Sequence, residues 1–254
     1  MLEIIPQTEN QQTSQQPQQT SQQPQQHQQP QQHKISTSLQ FSFTITYILL
    51  ITTATITFIE AIRTNNPTVR HILNLETCIS VVAGYFYSIF KNKIANYERT
   101  NEPINWTEIA ETRYIDWSIT TPLMLIVLCV VLSNEINLQV RLPTIATIIG
   151  LNYAMLYAGY LGETNRIDRS AANILGFLPF FAMFGVIYWK YVAPKFNLTN
   201  RVMFYLYLFI WSLYGIVYIF DEETRNIAMN VLDLFAKCLI GLGLWVYYVH
   251  IIRL

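Results

Sequence analysis

The sequence is poor in charged residues and in cysteine, and each shortage excludes a class of protein. Charged residues make up 13% of the 254 positions and hydrophobic residues 52%, whereas about 25% of a soluble domain is charged. The three cysteines, Cys78, Cys129 and Cys238, all lie in apolar stretches. They indicate small core residues and not a disulfide framework. Because 16 basic residues balance 16 acidic ones, no nucleic-acid partner is expected.

The motifs of common enzymes are also missing. The sequence contains no P-loop, HExxH, CxxC or GxSxG pattern, and its four histidines show no spacing typical of metal ligands. We therefore expect neither a soluble hydrolase nor a metalloenzyme. No catalytic or metal-binding residue is predicted.

The first 36 residues differ from the rest of the chain. They are rich in Gln and Pro, and the heptad TSQQPQQ begins at Thr13 and again at Thr20. Such a low-complexity segment cannot bury a core, so residues 1–36 are predicted to be a disordered tail. The tail lacks the basic and apolar regions of a signal peptide. Residues 37–254 are predicted to form one membrane domain.

That domain alternates long apolar runs with short polar breaks, and about 20 apolar residues are enough for a helix to cross a bilayer. The pattern predicts an all-α integral membrane protein with a bundle of seven helices, at residues 39–62, 70–90, 113–132, 142–161, 171–192, 201–220 and 225–252. Lys and Arg are divided almost evenly between the two sides. The side with fewer acidic residues is taken as cytoplasmic, which places the N-terminus outside and the C-terminus inside.

A lysine lies in the middle of the last apolar span. An ammonium at the centre of a bilayer costs ~3 kcal/mol on insertion scales. Asp233 precedes Lys237 by four residues, so the two side chains share one helix face. One interpretation is an ion pair that only holds helices together. The other is that Lys237 forms a Schiff base with a carbonyl compound, and that Asp233 balances its charge.

The third span carries a second polar line. Arg113, Asp116 and Thr120 are spaced to lie on one face of an otherwise apolar helix. Buried charges of this kind face the interior of a bundle and mark an ion pathway. A charge network that only fixed the helix register would leave the central lysine unexplained.

The run RYIDWSITTPL from Arg113 and the pattern DxxxK ending at Lys237 resemble the microbial (type I) rhodopsins. This resemblance covers the chain from about residue 40. It implies all-trans retinal bound to Lys237 as a protonated Schiff base. Asp116 would then be the primary counterion and proton acceptor, and Asp233 the second counterion. Arg113 would be their partner on the outer side, and Thr120 a hydrogen-bond partner of Asp116.

The resemblance also implies a retinal pocket. Its expected members are Trp117, Thr121, Met124, Asn152, Met155, Gly159, Trp211, Tyr214, Tyr218 and Tyr87. Tyr87 is expected to face the side of Asp233.

Three departures from the family pattern bear on the activity. Val127 stands where an outward proton pump keeps an acidic proton donor, and Gly215 stands where the family has proline. Asn152 replaces a common aspartate and is expected to hydrogen-bond with Thr121. That pair resembles the gate between helices in channelrhodopsins.

Polar residues line the second span, and those predicted to form an ion pathway or gate are Glu76, Asn74, Ser80 and, from the last span, Asn230. A carboxylate in a wet half-channel attracts cations, although a neutral hydrogen-bonded Glu76 is the alternative. Runs on the second and fourth spans resemble group 1 viral rhodopsins from large algal viruses, which implies a light-gated cation channel in the membrane of the host cell.

Two other functions remain open at this point. An outward proton pump is supported by the line through Arg113 but opposed by Val127. A sensory photoreceptor is opposed by the end of the chain soon after the last span. The expected partners are retinal, the lipid bilayer and monovalent cations or protons, and homo-oligomerisation is left open.

Overall fold

A computed structural model describes residues 35–251. Within that range it contains seven helices that are long and apolar enough to cross a membrane, which confirms the predicted fold class. They are α1 (Thr37–Arg63), α2 (Pro67–Thr100), α3 (Trp106–Glu135), α4 (Leu142–Glu163), α5 (Arg169–Val192), α6 (Leu198–Val217) and α7 (Glu222–Val249). The predicted Gln-rich tail lies outside the described residues, apart from its last two positions.

Five of the helices begin at an Asn or Asp side chain that caps the first turn. Asn66 accepts hydrogen bonds from the backbone N–H groups of Thr68 and Val69 at the start of α2. The other four caps are Asn105, Asp168, Asn197 and Asp221. These side chains satisfy N–H groups that have no partner within the helix. The polar breaks in the sequence therefore determine where the helices start.

The helices α2 and α3 are longer than their apolar runs indicate. The prediction ended the second span at Phe90 and began the third at Arg113, but α2 continues to Thr100 and α3 starts at Trp106. Contacts between charged groups hold these polar extensions together. Lys93 Nζ lies 2.5 Å from a carboxylate oxygen of Glu108, and the hydroxyl of Tyr97 donates to the same carboxylate. Hydropathy alone does not detect such helix ends.

The helices form a closed ring. Each helix packs against the next in sequence, and α7 packs back against α1 and α2. The helix α3 also packs against α6 across the middle of the bundle. In the most apolar part of α3, 67% of the residues are buried, compared with 28% in α4, α5 and α6. The polar line on α3 therefore lies inside the bundle, while the outer helices present apolar side chains to lipid.

A turn of π-helix interrupts α7 at Leu234–Leu239. It follows the α-helical segment Glu222–Asp233 and precedes Ile240–Val246. Lys237 lies within this turn. Single π-helical turns are rare and occur frequently at functional sites.

Asn66→Ala tests the role of capping. The substitution removes the two bonds to the start of α2 and is expected to lower stability by about 1 kcal/mol. Thermal unfolding in detergent would measure the loss. The matched control is Asn65→Ala, since Asn65 is exposed and is not the cap. Equal shifts in the two variants would contradict the capping role.

Candidate functional site

The predicted lysine and carboxylates meet in the centre of the bundle. Lys237 Nζ donates to Asp116 Oδ2 at 2.8 Å and to Asp233 Oδ2 at 3.2 Å. The three side chains are at most 1% exposed. The π-helical turn of α7 positions the amine, and α3 supplies the carboxylate that is closer to it. The sequence predicted this grouping.

Arg113 completes the charge balance of the site. Its Nη1 lies 3.9 Å from Asp233 Oδ2, and its Nη2 donates to the side-chain oxygens of Asn226 and Asn230 at 3.0 and 2.8 Å. Its guanidinium carbon is also 5.0 Å from the centre of the Phe90 ring. Two cations and two carboxylates thus share one buried region, where an unpaired charge would cost several kcal/mol.

The two carboxylates have different hydrogen bonds. Asp233 accepts from the hydroxyls of Tyr87 at 2.9 Å and Tyr214 at 2.7 Å. Asp116 Oδ1 has no hydrogen-bond donor among residues 35–251. Asp233 is therefore the better stabilised anion, and Asp116 is the carboxylate with an oxygen free to accept a proton.

Thr120 is a hydrogen-bond partner of Asp116, through the backbone. Its hydroxyl donates to the backbone carbonyl of Asp116 at 2.9 Å and not to the carboxylate. In a helix, a Thr hydroxyl reaches the carbonyl four residues earlier without any change of the backbone. The bond between Thr120 and Asp116 therefore stays within α3 and leaves the carboxylate free for Lys237.

A cavity lies beside the lysine. Its walls are mainly apolar and aromatic side chains, as in most small-molecule sites. Eight of the ten predicted pocket residues line it, together with Lys237: Trp117, Thr121, Met124, Met155, Gly159, Trp211, Tyr214 and Tyr218. Aromatic walls and a buried amine suit a covalently attached apolar aldehyde such as retinal.

Two predicted pocket residues lie elsewhere. Tyr87 is not among the lining residues, because its hydroxyl donates to Asp233 and Asn230. It lies on the Asp233 side, as expected. Asn152 is fully buried, and its amide donates to Thr121 Oγ1 at 2.8 Å. That bond is the one expected from the sequence. It turns the Asn152 side chain towards α3.

The sequence reasoning missed part of the cavity wall. The missed residues include Tyr114, Asn173, Gly176, Phe177, Phe180, Gly215, Met229 and Ala236. Asn173 was the detectable one, because it is a polar residue next to the long apolar run of α5. The apolar residues of this set look like ordinary core residues in a sequence.

The predicted ion-pathway residues fall in three places. Glu76 is 2% exposed and packs against Gly241, where an added Cβ would lie 2.8 Å from its carboxylate. Ser80 is fully buried, whereas Asn74 is exposed on the opposite face of α2. Asn74 therefore does not belong to an internal path, since the helical period turns it outwards. Asn230 lies on the other side of Lys237, bonded to Arg113 and to Ser42 Oγ.

Comparisons with known proteins identify the family. The profile of the bacteriorhodopsin-like proteins matches residues 37–251. The crystal structure of viral rhodopsin OLPVRII is 44% identical, with a TM-score of 0.77, and the match covers 84% of this chain and 98% of that one. The chain is a microbial rhodopsin. The expected likeness to viral rhodopsins is confirmed.

More distant relatives agree on the fold. The structure of Acetabularia rhodopsin I has a TM-score of 0.68 at 20% identity and covers 83% of this chain and 93% of that one. A green-light absorbing proteorhodopsin from a gamma-proteobacterium is 26% identical over 55% of this chain. The match spans 63% of that relative's length. Microbial rhodopsins bind retinal covalently through a lysine, and this rhodopsin is an integral multi-pass membrane protein.

The bonds to Asp233 are testable by removing each hydroxyl. Tyr87→Phe and Tyr214→Phe each delete one donor to a buried carboxylate, at a cost of about 1.5–3 kcal/mol for a bond to a charged group. We expect a shift of the visible absorption maximum and a lower unfolding temperature in retinal-supplied protein. The control is Tyr191→Phe, which is nearly as buried as Tyr87 but lies outside the site. A similar spectral shift in all three variants would refute the assignment.

Proposed function

We propose that this rhodopsin is a light-driven proton transporter that uses retinal on Lys237. The observation that carries the proposal is a pair of buried carboxyl groups, one at the Lys237 amine and one farther along α7. Asp116 contacts it directly. Glu76 packs against Gly241, one turn farther along α7. A proton acceptor at the amine and a buried carboxyl group one turn farther along α7 are thus both available.

The cavity residues support retinal as the bound group. Lys237 would hold it, while Trp117, Trp211 and Tyr214 would pack against it. When bound, retinal would supply absorption of visible light and a change of shape at the lysine nitrogen.

Asp116 is the proposed proton acceptor. It is the nearest acceptor to Lys237 Nζ, and its second oxygen has no donor among the described residues. Transfer of a proton from Nζ to Asp116 would leave both groups uncharged. The electrostatic attraction between α7 and α3 would then be lost. Asn230, Asn226 and Arg113 form a hydrogen-bonded group beyond it. This group would pass the proton towards the outer side.

Glu76 is the proposed donor from the inner side. Among residues 35–251 its side chain has no hydrogen bond or ion pair, although it is 2% exposed. An ionised carboxylate without a partner is costly to bury, so we expect a neutral carboxylic acid in the dark. A neutral Glu76 can donate a proton. The pump therefore does not need an acidic donor at Val127. Val127 itself is fully buried in the apolar core.

Ser80 offers a relay between Glu76 and the lysine. It lies one turn along α2 from Glu76, in the direction of Tyr87. Its hydroxyl is buried and has no partner within the described range. Orphaned buried hydroxyls of this kind are sites for ordered water. A water molecule at Ser80 would shorten the proton path.

A light-gated cation channel, the function predicted from the sequence, is the second candidate. The bond from Asn152 to Thr121 favours it, since that bond resembles the gate of channelrhodopsins. A second polar contact between helices also favours it, since the hydroxyls of Thr57 on α1 and Thr77 on α2 form a hydrogen bond of 2.8 Å. We place the channel second because a neutral Glu76 would not attract cations, and because Asn74 faces outwards.

The remaining sequence predictions complete the proposal. We propose an external N-terminus preceded by a disordered Gln-rich tail, a cytoplasmic C-terminus, and a location in a host cell membrane if the chain is viral. Arg113 on the acceptor side and Glu76 on the donor side fit outward movement of protons in this orientation.

Two substitutions test the chromophore site. Lys237→Ala removes the attachment point and is expected to abolish visible absorption and light-evoked current. Asp116→Asn leaves the cation with one carboxylate and is expected to shift absorption to the red, because the positive charge is less localised at the nitrogen. Absorption spectra of retinal-supplied membranes measure both effects. An unchanged spectrum in Asp116→Asn would argue against Asp116 as the counterion.

Voltage-clamp recording tests proton transport. A pump gives an outward current without any ion gradient, and this current does not reverse with voltage. Glu76→Gln should slow the return to the dark state by about 10²-fold, the scale of a lost general acid, while Asn74→Ala should leave it unchanged. A current that reverses at a potential set by the cation gradient would instead establish the channel.

A further inference from the structure

A second group of residues shapes the cavity where α5 meets α6. Gly215 lies on α6, and a Cβ built there would overlap Cζ of the Phe177 ring. The ring of Phe177 therefore occupies the space that a side chain at position 215 would need. Phe177 and Gly215 both line the cavity. Because Gly215 has no side chain, the ring of Phe177 can lie in this position.

A hydrogen bond fixes the same pair of helices. Asn173 Nδ2 donates to the backbone carbonyl of Gly215 at 2.7 Å. This carbonyl lies in the last turn of α6, which ends at Val217. A carbonyl in the last turn of a helix has no N–H group of the same helix to accept a hydrogen bond from. The bond satisfies a polar group that would be costly to leave unpaired in a membrane. Asn173 also lines the cavity, one helical turn before Phe177.

Asn173, Phe177 and Gly215 form one wall of the cavity, and its location indicates which end of a bound molecule it contacts. Lys237 extends from α7, whereas α5 packs against α4 and α6. A molecule attached to Lys237 therefore reaches α5 only with the end that is far from the amine. Residue 214, adjacent to Gly215, donates to Asp233 through its tyrosine hydroxyl. Tyr214 thus links the cavity wall at Gly215 to the carboxylate of Asp233.

From this geometry we infer that Phe177, seated against Gly215 and fixed through Asn173, is the residue that selects the size of the chromophore's far end. The inference rests on the proposed use of retinal. Removing the Phe177 ring enlarges the cavity at this wall. Adding a side chain at Gly215 displaces the ring into the cavity and makes it smaller. The two changes are expected to compensate when they are combined.

Uptake of two aldehydes by the full-length apoprotein tests the inference. The probes are all-trans retinal and an analogue with a naphthyl group in place of the cyclohexenyl ring. The rate of pigment formation is followed by absorbance. Phe177→Ala should raise the rate of the naphthyl analogue relative to retinal by about tenfold. Gly215→Ala should slow the uptake of both probes by about tenfold, the scale of an overpacked site.

The double variant and a neighbouring phenylalanine provide the controls. Gly215→Ala combined with Phe177→Ala should recover the uptake that Gly215→Ala loses, since the ring that caused the overlap is gone. Phe181 stacks on Phe177 at 5.6 Å but is 61% exposed and does not line the cavity. Phe181→Ala should therefore keep the selectivity of the unmodified protein. Size-exclusion profiles of the apoproteins would identify any variant that fails to fold.

The outcomes separate this inference from the proposed function. No pigment from the unmodified protein with either probe would overturn the retinal proposal, and the inference with it. Normal pigment formation with an unchanged ratio of rates in Phe177→Ala would overturn the inference alone. A folded double variant as slow as Gly215→Ala would also overturn it, because the loss would then not arise from the Phe177 ring.

Discussion

The structure depends on one buried ammonium group. The amine of Lys237 lies in the middle of a membrane helix and contacts two carboxylates, one from its own helix and one from α3. Neither the amine nor the carboxylates would be stable there alone. The requirement for mutual neutralisation therefore fixes the positions of α3 and α7. It also explains why Arg113 is buried nearby, since it balances the second carboxylate.

Much of this arrangement follows from the sequence. Apolar runs of bilayer length indicate seven helices, and side chains three, four and seven residues apart must share a helix face. The grouping of Lys237, Asp233 and Asp116 was predictable because a buried cation needs partners and the chain offers few. The bond between Asn152 and Thr121 was predictable from the motif. Each of these features depends on spacing along a helix or on a scarce type of residue.

Other features depend on the orientation of individual side chains. Thr120 satisfies its hydroxyl within its own helix, at the backbone carbonyl of Asp116. Asn74 belongs to a polar stripe in the sequence but lies on the exposed face. The wall formed by Phe177 and Gly215 depends on contact between two helices. No pattern within either helix reports such a contact.

The hydrogen bonds to Asp233 have a mechanical consequence. Its carboxylate belongs to α7, while the hydroxyls that bind it belong to Tyr87 on α2 and Tyr214 on α6. A single side chain thus acts as a joint between three helices. If α6 tilts away from the bundle axis, the bond from Tyr214 must lengthen, and the anion loses part of its stabilisation. Movement of this helix and the charge beside Lys237 are therefore coupled, so that a change in either one is transmitted to the other.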